Sequence, residues 1–201
     1  MTYSGFLLCF VVIPIIILFT AIWRKSNKLF WLATFIHVIL AVIYTAPWDN
    51  YLVATRVWYY NPRLVSGIVF GYVPLEEYTF FLLQTLLVGL WWQMVVRRIN
   101  STEKFQPSQR LRYTTSIIVA VIWLGAAFIF LSHWKPLTYL SAILFWAIPP
   151  MIPQLFFGAD ILWHHRKLLA WTILPLGLYL SFADSLAIKS GTWVINPAQS
   201  T

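Results

Sequence analysis

The chain has 201 residues, of which 60% are hydrophobic, 18% aromatic and only 10% charged, with a formal net charge of +8. That balance excludes an ordinary water-soluble domain. Length alone would allow one or two soluble domains, but the apolar runs are too long and too frequent for soluble helices, so a single membrane domain over 1–201 with short loops is expected. The positive charge does not point to nucleic acid, because Lys and Arg sit in small clusters between apolar runs, where they suit membrane-surface phosphates.

The first segment opens with Met1, Thr2, Tyr3, Ser4 and Gly5, without a basic n-region, and ends at Arg24 and Lys25 without a small-residue cleavage pattern. It reads as a retained first span. In chain order, six apolar segments follow the helical length rule, at 3–23, 29–47, 74–96, 113–131, 137–157 and 168–188. Each is near the ~20 residues that cross ~30 Å of hydrocarbon, and only helices satisfy their own backbone at such lengths in lipid. The expected fold class is an all-α membrane protein with six transmembrane helices.

Ten basic residues (Arg24, Lys25, Lys28, Arg97, Arg98, Lys104, Arg110, Arg112, Arg166 and Lys167) fall on one side. Four (Arg56, Arg63, Lys135 and Lys189) fall on the other. The positive-inside rule puts the larger group in the cytoplasm and the N-terminus outside. The connection from Pro47 to Val73 is long and rich in rings, with Trp48, Tyr51, Trp58, Tyr59, Tyr60 and Tyr72. An aromatic belt at headgroup level accounts for any one of them as well as a site does. Cys9 is the only cysteine, so no intrachain disulfide or C-x-x-C pair exists. His37, His133, His164 and His165 have no zinc-site spacing, and no metal is expected.

One pattern occurs twice at an offset of 135 residues: Asp49, Trp58, Asn61, Pro62 and Asp184, Trp193, Asn196, Pro197. The shared form is D-x8-W-x2-N-P, in a chain with three aspartates. The same offset lays span one on span five and span two on span six, with span four as connector. Spans one and five are separated by an even number of crossings, so the repeats should be parallel, related by an axis along the membrane normal. This gives a first three-helix repeat at 1–100, a connector at 101–136 and an incomplete second repeat at 137–201. The third span's partner would begin near position 209, beyond Thr201, so a seventh helix from the same or another subunit is expected.

Asp49, Glu76, Glu77, Asp160 and Asp184 lie at or beside span ends. Ionisable groups there are expensive, and the default reading is a functional site. Pro74 suits the first turn of a helix, which makes Glu76 either a cap for free amides or a chemical group. At helical spacing Glu77, Phe81, Gln84 and Val88 share a face expected to point inward, while Glu76 aligns with Phe80, Leu83 and Leu87. By topology Asp49, Asp184, Glu76 and Glu77 share the outward side and could converge. In a dry pocket a carboxyl group without a cationic partner keeps its proton and can protonate an olefin, provided that water is excluded and the cation is stabilised. The rings nearest the acids, Trp48, Trp58, Tyr72, Tyr78, Phe81 and Trp193, are the candidates for stabilising it.

The run from Pro74-Leu75-Glu76-Glu77 to Gln84-Thr85, preceded by Pro47-Trp48-Asp49-Asn50-Tyr51, resembles the lycopene cyclase domain family, the FAD-independent membrane type. The segment from Asp184 to Trp193 is similar to that family's second repeat, although a second P-x-E-E is absent from the chain. The resemblance implies a redox-neutral isomerase that consumes no cofactor. It protonates a ψ end group of lycopene, closes the carbocation on an internal double bond and releases a proton to leave an ionone ring. The acid and base roles carry to Glu76 and Glu77, then Asp49 and Asp184. Trp48, Trp58, Tyr72, Tyr78, Phe81, Gln84 and Trp193 become the substrate-binding set. The chain has no G-x-G-x-x-G, which argues against a flavin-dependent cyclase.

The implied partners are a linear carotenoid within the bilayer, membrane lipid, and a second cyclase subunit or another copy of the chain. The implied location is a bacterial or archaeal cell membrane. Three rivals remain at the level of sequence: a small-solute transporter with parallel three-helix repeats, a prenyltransferase, and a non-catalytic subunit of a heteromeric cyclase. The first is weakened by acids at one end instead of the midplane, and the second by the lack of D-x-x-D clusters.

Overall fold

In the computed structural model, residues 1–23, 26–99, 104–132 and 134–199 are described. Arg24, Lys25, His133 and Thr201, all used in reading the sequence, lie outside the described residues. The chain divides into two compact units, Met1–Asn100 with Ala170–Val194, and Ser101–Leu169 with Ile195–Thr201.

Among the described residues five helices are long and apolar enough to cross a membrane, and a sixth if a bent pair is counted as one span. The helices are α1 (Tyr3–Ile22), α2 (Lys28–Ala54), α3 (Leu75–Val96), α4 (Gln109–Leu131), α5 (Thr138–Ala147), α6 (Met151–His164) and α7 (Arg166–Lys189). Two short strand pairs join them: β1 (Trp58–Tyr60) with β4 (Trp193–Ile195), and β2 (Val69–Phe70) with β3 (Val73–Pro74).

Two spans depart from the expected segments. The second runs on through Pro47 to Ala54, so Asp49 lies inside a helix and the connection begins only at Thr55. The proline does not stop the helix, as a lone proline is tolerated inside a membrane helix. The fifth is broken: Lys135–Ala147 and Met151–His164 meet at 62°. The break falls at Pro149 and Pro150, which cannot donate to the helix ladder. Pro149 stands 135 residues after Pro14, next to which α1 carries a π turn at Leu8–Val12.

In the first unit, two prolines have consequences that neighbouring side chains resolve. Pro14 lacks the N–H that would reach the Phe10 carbonyl, and the Tyr179 hydroxyl donates to that carbonyl instead at 3.0 Å. Pro175 orphans the Trp171 carbonyl in the same way, and the Trp91 indole N–H donates to it at 3.1 Å. Gly89 lets α3 approach α2, since a Cβ there would meet Thr34 at 3.2 Å. The core of this unit is built from α1, α3 and α7, with Tyr3, Phe6, Val11, Leu87, Leu90 and Ala183 buried.

The expected inward face of α3 holds at its start, where Phe81 is buried and Glu77 meets the Tyr3 hydroxyl, and fails further along. Val88 is exposed, whereas Glu76, Leu87 and Leu90 are buried, and Phe80 and Leu83 pack against the core. In lipid, outer and inner faces are equally apolar, so the few polar residues of a span do not mark its interior.

The doubled motif is a repeated local structure. After α2, Arg56 N–H reaches Val53 C=O at 3.1 Å and Val57 N–H reaches Leu52 C=O at 2.9 Å. After α7, Gly191 N–H reaches Ile188 C=O at 2.9 Å and Thr192 N–H reaches Ala187 C=O at 3.0 Å. Both are Schellman caps, with Arg56 (φ 59°) and Gly191 (φ 72°) at the left-handed position. Their apolar closures are also present, since Leu52, Val57, Ala187 and Thr192 are all buried. The Asn-Pro steps match as well: Asn61 Oδ1 accepts from Arg63 N–H and Asn196 Oδ1 from Ala198 N–H, both at 3.0 Å.

The second unit stands on its own contacts. Arg112 Nε donates to Asp160 at 2.8 Å, and the Ser108 N–H donates to the same carboxylate at 2.9 Å, which ties the start of α4 to α6. Asp160 is therefore engaged in a charge-assisted bond.

Candidate active site

Four chain segments of the first unit bring their ends to one place. Tyr3 opens α1, Asp49 lies in the last two turns of α2, Glu77 sits in the first turn of α3 and Asp184 lies near the end of α7. The Tyr3 hydroxyl donates to Glu77 Oε2. The Tyr60 hydroxyl donates to Asp49 Oδ2 at 3.3 Å and is a second hydrogen-bonding partner of Glu77. Glu77 interacts electrostatically with both Asp49 and Asp184, so three of the four expected carboxyl groups form one cluster.

Each aspartate is held by the tryptophan nine residues after it. Trp193 Nε1 donates to Asp184 Oδ1 at 3.0 Å, and the Trp58 side chain hydrogen-bonds Asp49. The reason is local: the Schellman cap reverses the chain and the short strand carries the indole back along the last helical turn. The Asn61 N–H donates to the Thr192 carbonyl at 3.0 Å, joining the two motifs.

Aromatic faces surround the acids. Tyr3 stacks on Tyr60 with centroids 6.0 Å apart and lies 5.0 Å from Trp193. Phe6 meets Trp193 edge-on at 4.9 Å and Phe80 at 5.9 Å. Tyr60, in the strand outside the spans, has its phenol pushed well above its ordinary range, first by burial and then by the charges of Glu77 and Asp49.

Glu76 is turned elsewhere. Its buried carboxylate accepts from the Ser66 N–H at 2.5 Å and from the Ser66 hydroxyl at 3.0 Å. Both of its oxygens are thus engaged by Ser66, and Glu76 clamps the preceding loop. Asn50 braces the same loop, with Nδ2 donating to the Tyr78 hydroxyl and Oδ1 accepting the Tyr72 N–H, both at 2.8 Å. The Tyr78 hydroxyl in turn donates to the Phe70 carbonyl at 3.0 Å.

Of the expected substrate-binding rings, Trp58 and Trp193 are therefore on the acids. Tyr78 and Phe81 make an edge contact at 6.0 Å on the Asn50 side, and Trp48 stacks on Tyr51 at 5.4 Å. Tyr72 is exposed and Gln84 half-buried in mid-span. Tyr3, Phe6 and Tyr60 belong to the cluster but were absent from the expected set. Tyr60 could have been found, because it lies two residues after Trp58 in an extended strand and so shares its face. Tyr3 has no counterpart in the doubled motif. Among the described residues no three His, Cys, Asp or Glu side chains gather to hold a metal ion.

The lycopene cyclase family model matches residues 1–95, which include Tyr3, Asp49, Tyr60 and Glu77. The lycopene beta-cyclase of Halobacterium salinarum is 38% identical over 156 residues, covering 78% of this chain and 64% of its own length. The bifunctional lycopene cyclase/phytoene synthase of Blakeslea trispora is 34% identical over 173 residues, covering 82% of this chain and 28% of its own. That of Phaeosphaeria nodorum is 31% identical over 206 residues, with 92% and 33% covered. This chain thus spans less than two thirds of the length of these relatives. No solved structure matches it.

Proposed function

The chain belongs to the lycopene cyclase family, and from that premise we propose that it closes the linear ψ end group of a lycopene-type carotenoid into an ionone ring, with Glu77 as the proton donor. The observation that carries the reading is the Glu77 carboxyl, held between the Tyr3 and Tyr60 hydroxyls inside a wall of aromatic faces.

The chemistry asks for a proton delivered to carbon and for a cation that survives until the ring closes. Glu77 adds its proton to the terminal double bond, and the electron pair of an internal double bond then attacks the resulting cation. Loss of a proton from the ring restores neutrality. The sum is an isomerisation in which no atom is gained or lost. The faces of Tyr3, Tyr60, Phe6 and Trp193 supply negative electrostatic potential to the migrating positive charge. The same apolar surroundings exclude water, which would otherwise trap the cation.

Asp49 and Asp184 receive the departing proton in this reading, which their bonds to Trp58 and Trp193 beside Glu77 support. Glu76 acts at one remove by holding the Ser66 loop over the site.

The test is expression in a lycopene-accumulating host, with pigments separated by chromatography. The chain should yield ringed carotenoid, and Glu77→Gln should lower it by at least ~100-fold, the usual worth of a general acid, while still inserting in the membrane. Undiminished ring formation by Glu77→Gln would remove the assignment.

A further inference from the structure

A second feature of the first unit is a groove of about 340 Å³ walled by α1, α3 and α7, with Pro14, Leu18, Leu87, Trp91, Leu176 and Tyr179 among its lining residues. Its surface is almost wholly apolar. The two side chains that could have presented a polar tip do not: Tyr179 O–H and Trp91 N–H are bonded to the carbonyls that Pro14 and Pro175 leave without helical donors. The prolines therefore account for the character of the wall, since they consume the polar groups of its rings and leave hydrocarbon and aromatic faces.

We propose that this groove holds the straight conjugated chain adjoining the end group that reacts at Glu77, a statement that rests on the cyclase reading. The three helices that wall it are the ones whose ends carry Tyr3, Glu77 and Asp184. At 1.5 Å per residue, Tyr179 lies about 8 Å along α7 from Asp184, Leu87 about 15 Å along α3 from Glu77, and Pro14 about 16 Å along α1 from Tyr3. One linear molecule with its end among the carboxyl groups would run into the groove. A conjugated chain suits it better than a lipid acyl chain does, because it is already rigid and gives up less conformational freedom on binding. The exposed face of Ile17 at the rim gives entry from the bilayer.

The experiment uses the full chain purified in detergent from lycopene-accumulating cells, with Glu77→Gln present to stop turnover, and reads extracted lycopene per mole of protein by its absorbance. The Glu77→Gln chain should carry about one lycopene. Adding Leu176→Trp, which fills the groove from α7, should lower that at least tenfold, whereas Leu176→Ala, which widens it, should not. Leu18→Trp, which fills it from α1, gives the same test should Leu176→Trp fail to yield folded protein by gel filtration. Equal pigment in the filled and widened variants would overturn the groove assignment, as would phospholipid acyl chains retained there in place of pigment. The cyclase reading fails separately, if the parent chain makes no ringed pigment in the same cells, and ringed pigment from cells that carry only Glu77→Gln would remove Glu77 as the donor.

Discussion

Glu76 and Glu77 are neighbours in the chain and point about a hundred degrees apart around α3, a separation set by the helix itself. One carboxylate is spent on Ser66 and the other is enclosed by tyrosines. Glu76→Gln should therefore weaken the loop without removing the proton donor. The expectation is a loss of ring formation about tenfold smaller than that of Glu77→Gln, and faster proteolysis near Ser66, both readable on one set of membranes. Gly71 belongs to the same brace, because a Cβ there would meet Asn50 Oδ1 at 2.2 Å and the glycine sits at φ 67°. Gly71→Ala should consequently release Asn50 and lower the thermal midpoint.

Tyr60 offers a pH test at this scale. Below the ordinary phenol value of about 10 the folded and unfolded chains both keep its proton, and nothing is lost. As pH rises through that value the unfolded chain ionises while the folded one, with Tyr60 pushed up by burial and by Glu77 and Asp49, does not, so the folded state loses stability. Melting temperatures at pH 8 and pH 11 should differ less in Tyr60→Phe than in the parent. The acids were legible in the sequence because ionisable groups are rare in spans. Tyr3 was hidden because a tyrosine at a membrane interface is ordinary, whereas Tyr60 could be found only through its place two residues after Trp58.

At the scale of elements, the two Schellman caps differ in one respect: the left-handed position is Gly191 after α7 and Arg56 after α2. A Cβ at Gly191 would meet nothing within 4 Å, so Gly191→Ala carries only the backbone cost, roughly 1 kcal/mol. Arg56→Gly should act with the opposite sign, by about 0.5–1 kcal/mol, as strain is relieved. Denaturant titrations of the two variants, moving in opposite directions from the parent, would check the equivalence of the motifs. The D-x8-W-x2-N-P spacing made this equivalence visible from residue types alone, although not the caps, which depend on φ. Span ends were less legible, because Pro47 does not interrupt α2 while Pro149 and Pro150 do break the fifth span. A lone proline is tolerated inside a membrane helix, whereas two adjacent prolines remove two successive ladder donors.

For the whole molecule, the all-α membrane class followed from the apolar runs, and orientation remains a statement about charge. Ten basic residues on one side against four on the other predict an outward N-terminus. A tag before Met1 should be labelled by an impermeant reagent in intact cells, while a tag beside Arg97 should be labelled only after lysis. The joining of the two motifs bears on how this molecule is made. Thr192 Oγ1 donates to the Met1 carbonyl, Trp193 packs on Tyr3, and Asn61 N–H reaches Thr192 C=O, so the first helix is completed by residues synthesised about 190 positions later. At the usual pace of translation that is a wait on the order of 10–40 s. Throughout it α1, α2 and α3 sit in the bilayer with Glu77 lacking the Trp193 side of its enclosure. The acid's enclosure is thus completed late, and an α7 slow to leave the translocon would delay the appearance of the site without altering any residue in it.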